Sequence, residues 1–432
     1  MPPLPLPGFR DFYPDEFSLR THLFGTWRAV ATRYGFQEYD GPPLEPLELY
    51  TAKSGEEIVT QLYNFTDKGG REVALRPEMT PTLARMVAAR ANGLRKPIRW
   101  FSIPQLYRYE RQQRGRLREH FQLNCDLIGE PGPIGDAEII ALAVDAVRAF
   151  GLGPSDFRVR VSDRRVLSEL LAGLGLDRAQ VAVAYQVLDK FGRAPREVSV
   201  GRLRDAAVGP DAIGRLLTLS GVRTWDAFRE AAAGLGDAVG AAEPLRRTLA
   251  ALEAMGLAEF VDLDLTIVRG LAYYTGTVFE LFDARGELRA ICGGGRYDNL
   301  LQALGGVDLP ALGFGLGDVV LTELLRDRGL VPGDQSAIDV FLAGIGEEDA
   351  SEVLALAHEL RDAGLRVEYA LSPQPLGKQL RLADARNARL AVVLGPDERA
   401  RGELVVKDLA AKTQSAVRRD AVGAWLLEAL RG

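Results

Sequence analysis

One stretch constrains this chain more than any other. From His120 to Leu127 polar and apolar residues alternate: His120, Gln122, Asn124 and Asp126 on one side, Phe121, Leu123, Cys125 and Leu127 on the other. Period two over eight residues predicts a strand with one buried apolar face and one face lined with hydrogen-bonding groups. Upstream, Arg108 and Glu110 stand two apart and share a face if that run is extended. Between the halves lies a loop rich in Arg and Gln, with Gly115 at its tip. The stretch Tyr107 to Gly129 therefore reads as a hairpin with a cationic loop and a polar inner surface. A solvated hairpin edge would carry similar charge. The chemistry such a surface suits is nucleotide handling. A fixed Arg can hold a phosphate through two parallel N–H bonds. Glu110 could accept from an exocyclic amine, and loop arginines could neutralise outer phosphates. Gln122 and Asp126 would offer an amide and an anion to a cationic amino group.

Composition narrows the setting. At 432 residues the chain predicts more than one domain. A net charge of −6 means that any nucleic-acid surface must be a local patch. Cys125 and Cys292 are the only cysteines, beside three His. That argues against a disulfide framework or a Cys/His zinc site, and for a reducing compartment. No apolar run approaches the ~20 residues of a membrane span. The Pro-rich start lacks the basic region and apolar core of a signal peptide. A cytoplasmic enzyme is the reading that follows.

Other segments add sites. Phe17 to Tyr34 is helical by periodicity, with Leu23, Trp27, Val30 and Ala31 facing the core and Gly35 closing it. Gly41-Pro42-Pro43 opens an extended segment. Pro77 suits the first turn of a helix running through Thr82 and Met86, which puts Glu78 and Thr80 at its start. Asp136 to Phe150 is a core helix. The run Ser162-Asp163-Arg164-Arg165 caps the next one, and the chain is then mostly amphipathic helix to about Leu252, broken near Gly192 to Pro195 and at Gly209-Pro210. From Leu263 the sheet resumes. Ile267 to Glu280 combines Arg269 with Tyr273, Tyr274 and flexible glycines, and a paired Tyr is more often packing than ligand contact. Three glycines ahead of Arg296 bring backbone close to a neighbour. Gly313 to Val320 is a glycine-rich strand entering a helix. Gly329 to Ser336 is a linker. Beyond it a βαβαβ order predicts a small three-layer α/β domain. From Lys378 to Arg419 that domain carries ten basic and five acidic residues, an excess suited to RNA backbone or to an ordinary solvated face.

Taken together these motifs resemble the class II aminoacyl-tRNA synthetases and, in detail, the histidyl-tRNA synthetases, over nearly the whole chain. The hairpin resembles motif 2, the helix and extended segment with Pro42 motif 1, and the run from Gly313 motif 3. The resemblance implies an α+β catalytic domain over residues 1–330 with a mainly antiparallel sheet, a helical insertion at about 163–255, a linker at 331–336 and an anticodon-binding-type domain at 337–432. It implies activation of L-histidine with ATP and Mg2+, transfer to tRNA(His), a homodimer, and no membrane. It implies catalysis by Arg108 and Arg269. Histidine would be held by Glu78, Met79, Thr80, Arg108, Gln122, Asp126, Arg269, Tyr273 and Tyr274. ATP would be held by Arg108, Glu110, Arg114, Arg116 and Arg269. No metal ligands are assigned. The sequence departs from the pattern at Ala272 and Asp126, where many members have Asp and the longer Glu. It departs again at Val320, where motif 3 usually places an Arg for the γ-phosphate, so Arg116, Arg114 and Arg269 become the candidates. The alternative is a non-catalytic, synthetase-like regulatory subunit of ATP phosphoribosyltransferase. Such paralogues generally lack the final domain and erode the active-site motifs, both of which this chain retains apart from Val320.

Overall fold

The computed structural model describes residues 4–51, 60–111, 113–191, 194–268, 273–332 and 338–431. Arg269, Ala272, Gly192 and the linker residues 333–336 lie outside them. The chain divides into two compact units, Met1–Val331 and Pro332–Gly432.

A mixed sheet, mostly antiparallel, organises the first unit. Across it run Gln37–Glu38, Ile98–Ser102, Glu119–Ile128, Ala311–Gly317, Cys292–Arg296, Thr277–Asp283, Phe157–Asp163 and Val261–Leu263. Only the two outermost pairings are parallel. One face is covered by the Pro14–Arg33 and Pro133–Arg148 helices, whose apolar stripes meet Leu123, Cys125 and Leu127 from the alternating strand. Leu23, Trp27, Val30 and Ala31 are buried as their spacing predicts, each large side chain contributing roughly 1.5–3 kcal/mol. The opposite face is the polar one, and it too is withdrawn from solvent: Asn124 and Asp126 are buried. A period-two pattern distinguishes the faces by chemistry, and here both are inside.

The hairpin forms with Gln105–Tyr107 antiparallel to the start of the long strand, in register Tyr107 with Glu119. Regular pairing stops at Tyr107, so Arg108 and Glu110 belong to the loop rather than to one strand face. Gln113 and Arg116 bridge across a turn in which Gly115 takes φ +73°, a conformation that other residues adopt with strain. The helix after Arg76 is Thr80–Arg90, three residues later than Pro77 predicts; Pro81 occupies its first turn instead. Arg76 explains the delay. Its buried guanidinium bonds Asp40 Oδ1 and the Gly41 carbonyl, both at 2.7 Å, and Nε donates to the Gln105 carbonyl at 3.1 Å. This clamp ties the segment ahead of the helix to the hairpin.

Helices from Arg164–Gly173 to Glu243–Ala254 follow the Phe157–Asp163 strand and carry a small core of their own around Val187, Leu203 and Leu216. Asp163 caps the first, accepting from the Arg165 amide at 2.8 Å. The last rests on the Pro133–Arg148 helix, where Thr248 Oγ1 donates to the Pro133 carbonyl at 3.2 Å.

The second unit has a five-stranded sheet in the order Val367–Tyr369, Val340–Gly344, Leu390–Leu394, Glu403–Asp408, Thr413–Arg418. The first three strands are parallel. Along Val340–Gly344, Val340 and Leu342 pack under the Ala350–Asp362 and Val422–Ala429 helices, whereas Phe341 and Ala343 pack with Leu376–Ala385 on the other face. That is the predicted three-layer arrangement. The Thr413–Arg418 strand and the Val422–Ala429 helix were not legible in the sequence, since Val417 is the strand's one buried residue.

Candidate active site

A cavity of about 1090 Å³ opens on the polar face of the first unit's sheet. His120, Gln122, Asn124 and Asp126 form its floor, which is the polar half of the alternating strand. Glycines across the ladder make the room. Gly313 faces Asp126 in register, and a side chain there would overlap the Asp126 carboxylate. A side chain at Gly315 would overlap the Gln122 amide in the same way. The glycine-rich strand is thus the space into which two floor side chains lie.

Glu78 and Thr80 enter from the segment that Arg76 clamps, and Arg108 from the end of the hairpin. Arg108 Nε donates to the Pro77 carbonyl at 2.9 Å, which anchors one edge of the guanidinium and leaves the terminal nitrogens for the cavity. Glu78 is buried, and burial pushes its carboxyl up, opposed by the Arg108 charge and by the Tyr273 hydroxyl, which donates to Oε2 at 3.4 Å. Tyr273 packs against Tyr274 at 5.0 Å between ring centres and edge-on to Tyr297 at 5.8 Å. The Tyr297 hydroxyl donates to Asp126 Oδ1. Burial raises the Asp126 carboxyl to about 7, and the Tyr297 bond offsets only part of that. Its company is the aromatic end of the cavity.

Glu110 is buried, with Oε2 paired to Arg116 and Oε1 lacking a protein partner among the described residues. A buried, unpaired carboxylate oxygen beside a cavity is an acceptor awaiting a donor. His120 is driven down to about 3 by burial and then by the charges of Arg108, Arg10 and Arg116, so its imidazole is neutral at physiological pH.

Two expected site residues are elsewhere. Met79 is 1% exposed and does not line the cavity; its sulfur lies 3.8 Å from Arg76 in the layer beneath. Next to Glu78 in the chain, it is the N-cap of the Thr80–Arg90 helix with helical dihedrals, φ −97° and ψ −24°, and its side chain packs on Arg76 instead of entering the cavity. Arg114 also stays out of the cavity, reaching to Glu323 at 3.2 Å and Asp327 at 3.5 Å on the Asp318–Asp327 helix. Val320 is on that helix, its Cγ2 3.2 Å from where Gly115 would carry a Cβ. The site residues missed in the sequence are Tyr297 and Arg289. Tyr297 sits in the glycine run, where a signal existed. Arg289 is a single Arg in a turn, with none.

Around the cavity, buried pairs fix the frame. Arg296 is 1% exposed and bonds Asp136 through Nε and Nη2, together with the carbonyls of Glu130 and Gly132. Arg10 joins Glu119 at 2.7 Å to Asp318 at 2.9 Å, tying the start of the long strand to the first turn of the Asp318–Asp327 helix. In the second unit the basic excess is largely spent internally. Arg386, Arg399, Arg401, Arg418 and Arg419 all pair with carboxylates. Lys378, Arg381, Lys407 and Lys412 show no ion pair among the described residues.

Comparison with known proteins gives the site a context. The histidyl-tRNA synthetase family model matches residues 8–318, and an anticodon binding domain model matches residues 339–429. The histidine–tRNA ligase of Opitutus terrae is 48% identical over 429 residues, covering 98% of this chain and 97% of that one. The chloroplastic/mitochondrial histidine–tRNA ligase of Arabidopsis thaliana is 40% identical over 414 residues, covering 96% and 85%. Among solved structures, histidyl-tRNA synthetase from Nostoc sp. PCC 7120 superposes with a TM-score of 0.86 at 25% identity, covering 99% of both chains.

Proposed function

The chain belongs to the histidyl-tRNA synthetase family, and from that premise we propose that it is a histidine–tRNA ligase with its active site in the cavity of the first unit. The histidine carboxylate attacks the α-phosphate of ATP in line, forming histidyl-adenylate and releasing pyrophosphate. The terminal ribose hydroxyl of tRNA(His) then attacks the acyl carbon, and AMP leaves. No side chain acts as nucleophile; positioning and charge stabilisation carry the rate.

The observation that carries this reading is the convergence of Glu78, Thr80, Arg108, Gln122, Asp126, Tyr273 and Tyr274, from four separate segments, on one cavity. Arg108 is the cation for the α-phosphate and the histidine carboxylate, with Arg269 as its partner in that role. Glu78 and Thr80 take the amino group. Gln122, Asp126, Tyr273 and Tyr274 surround the ring. Asp126, raised to about 7, can donate or accept at neutral pH, which suits an imidazole nitrogen. Glu110 Oε1 accepts from the adenine amine, and Arg116 lies beside the phosphates. Mg2+ enters as Mg–ATP. Among the described residues no group of three or more His, Cys, Asp or Glu side chains suits a metal.

The active species is a homodimer in the cytoplasm. Leu44 and Phe65, exposed on the three-stranded sheet of Leu44–Pro46, Tyr63–Thr66 and Glu72–Leu75, support a second copy covering that face. The second unit takes part in tRNA binding. Among the described residues, no helix is long and apolar enough to cross a membrane.

The test is ATP–pyrophosphate exchange with a panel of amino acids, followed by charging of tRNA(His). Exchange with histidine alone, and histidylation of the tRNA, is the expected result. Exchange driven by another amino acid, or histidine binding without exchange, overturns the proposal.

A further inference from the structure

A triphosphate needs cations that are not already neutralised by the protein. Among the described residues four guanidinium groups line the cavity: Arg108, Arg116, Arg160 and Arg289. Arg116 is paired with Glu110. Arg160 lies 3.6 Å from Asp264 and over the Phe282 ring. Among the described residues Arg108 makes no ion pair; its Nε donates to the Pro77 carbonyl, and its charge acts on Glu78. Arg289 makes no ion pair among the described residues; its Nη2 donates to the Gln113 amide oxygen. Two cations are thus left with charge to spare, and they come from different elements.

The position of Arg289 says which part of a nucleotide it would meet. It sits between the Thr277–Asp283 and Cys292–Arg296 strands and reaches the tip of the hairpin loop. A Cβ built on Gly115 would lie 3.2 Å from Val320 Cγ2 and 3.9 Å from Arg289 Cδ, so both side chains meet over that glycine. Arg108 acts on Glu78, among the residues assigned to histidine. The loop between Arg108 and Gly115 carries Glu110, which also lines the cavity.

Resting on the histidine-activating reading, we propose that Arg289 binds the β- and γ-phosphates of ATP, delivering from a turn between strands the positive charge that Val320 on the neighbouring helix does not supply. The Gln113 amide holds the guanidinium over the loop tip until phosphate oxygens replace or join it. A planar, permanently charged fork fits two phosphate oxygens at once.

The test compares Arg289→Ala with the unsubstituted chain in histidine-dependent exchange. The KM values for ATP and for pyrophosphate should rise roughly tenfold to hundredfold, the loss of a charge-assisted contact. Affinity for a histidyl-sulfamoyl adenosine, which carries no β- or γ-phosphate, should stay within about twofold. Arg289→Lys should recover part of the loss, and Gln113→Ala should show a smaller rise of the same kind. Arg289 is exposed, so both variants should melt with the parent protein. Unchanged KM values for ATP and pyrophosphate overturn the assignment, as does equal weakening of ATP and the sulfamoyl analogue. Absence of histidine-dependent exchange in the unsubstituted chain overturns the underlying reading instead, and is seen before any variant is made.

Discussion

Asp126→Asn isolates the cost of the cavity floor. The substitution keeps size and shape, so the crowded approach to Gly313 and the Tyr297 hydroxyl bond both survive. What changes is charge. Burial holds the native carboxyl at about 7, against 3.8 in the unfolded chain. The folded state therefore keeps its proton over a range where the unfolded state has lost it. Stability from this group is undiminished below 3.8, falls as pH rises from there to about 7, and is lowered by a constant amount above. The full cost is on the order of 4 kcal/mol, at 1.36 kcal/mol for each tenfold change in proton affinity. Because every other group titrates alike in the two proteins, the stability difference between them reports Asp126 alone. Urea unfolding at several pH values should show the advantage of Asp126→Asn growing by about 3 kcal/mol between pH 4.5 and pH 8. An advantage independent of pH would mean that Asp126 titrates like a solvated carboxyl. The dry floor, and the role given to it in holding the ring, would then both be wrong.

Three other changes probe the frame. Gly315→Ala would push a methyl into the Gln122 amide; it should cost about 1–3 kcal/mol of stability and raise the KM for histidine more than that for ATP. Arg296→Ala strands the buried Asp136 carboxylate and should destabilise the first unit by about 3–5 kcal/mol in thermal or urea unfolding; a loss under 1 kcal/mol would show that water reaches the pair. Removing everything after Pro332, where the second unit has its own core, should leave histidine-dependent exchange intact while weakening tRNA charging. Undiminished charging would take the RNA role away from that unit.

Much of the site could be read along the chain because it rests on two strands, where alternation maps directly to faces. His120, Gln122, Asn124 and Asp126 needed only period two. Gly313 and Gly315 needed the further step that an absent side chain marks an occupied space. What escaped was set by distant contacts. The Thr80–Arg90 helix starts late because Arg76 is bonded to Asp40 and Gln105, residues 36 and 29 positions away. Arg114 reads as a loop cation like Arg116, yet Glu323 and Asp327, more than 200 residues further on, draw it outward. Arg289 carries no local pattern at all. Its importance comes from Gln113 and Gly115 being folded beneath it. In the second unit, composition promised a basic surface, but the fold places Glu352, Glu359 and Asp420 against its arginines.

The neutral His120 has a use beyond the fold. With only His22 and His358 besides it in the whole chain, the protein is nearly blank in the nitrogen spectrum of imidazole. Isotope-labelled free histidine added to protein labelled alike would then stand against only three resident imidazoles, and the spectrum would show which of its ring nitrogens carries the hydrogen when Asp126 and the tyrosines surround it.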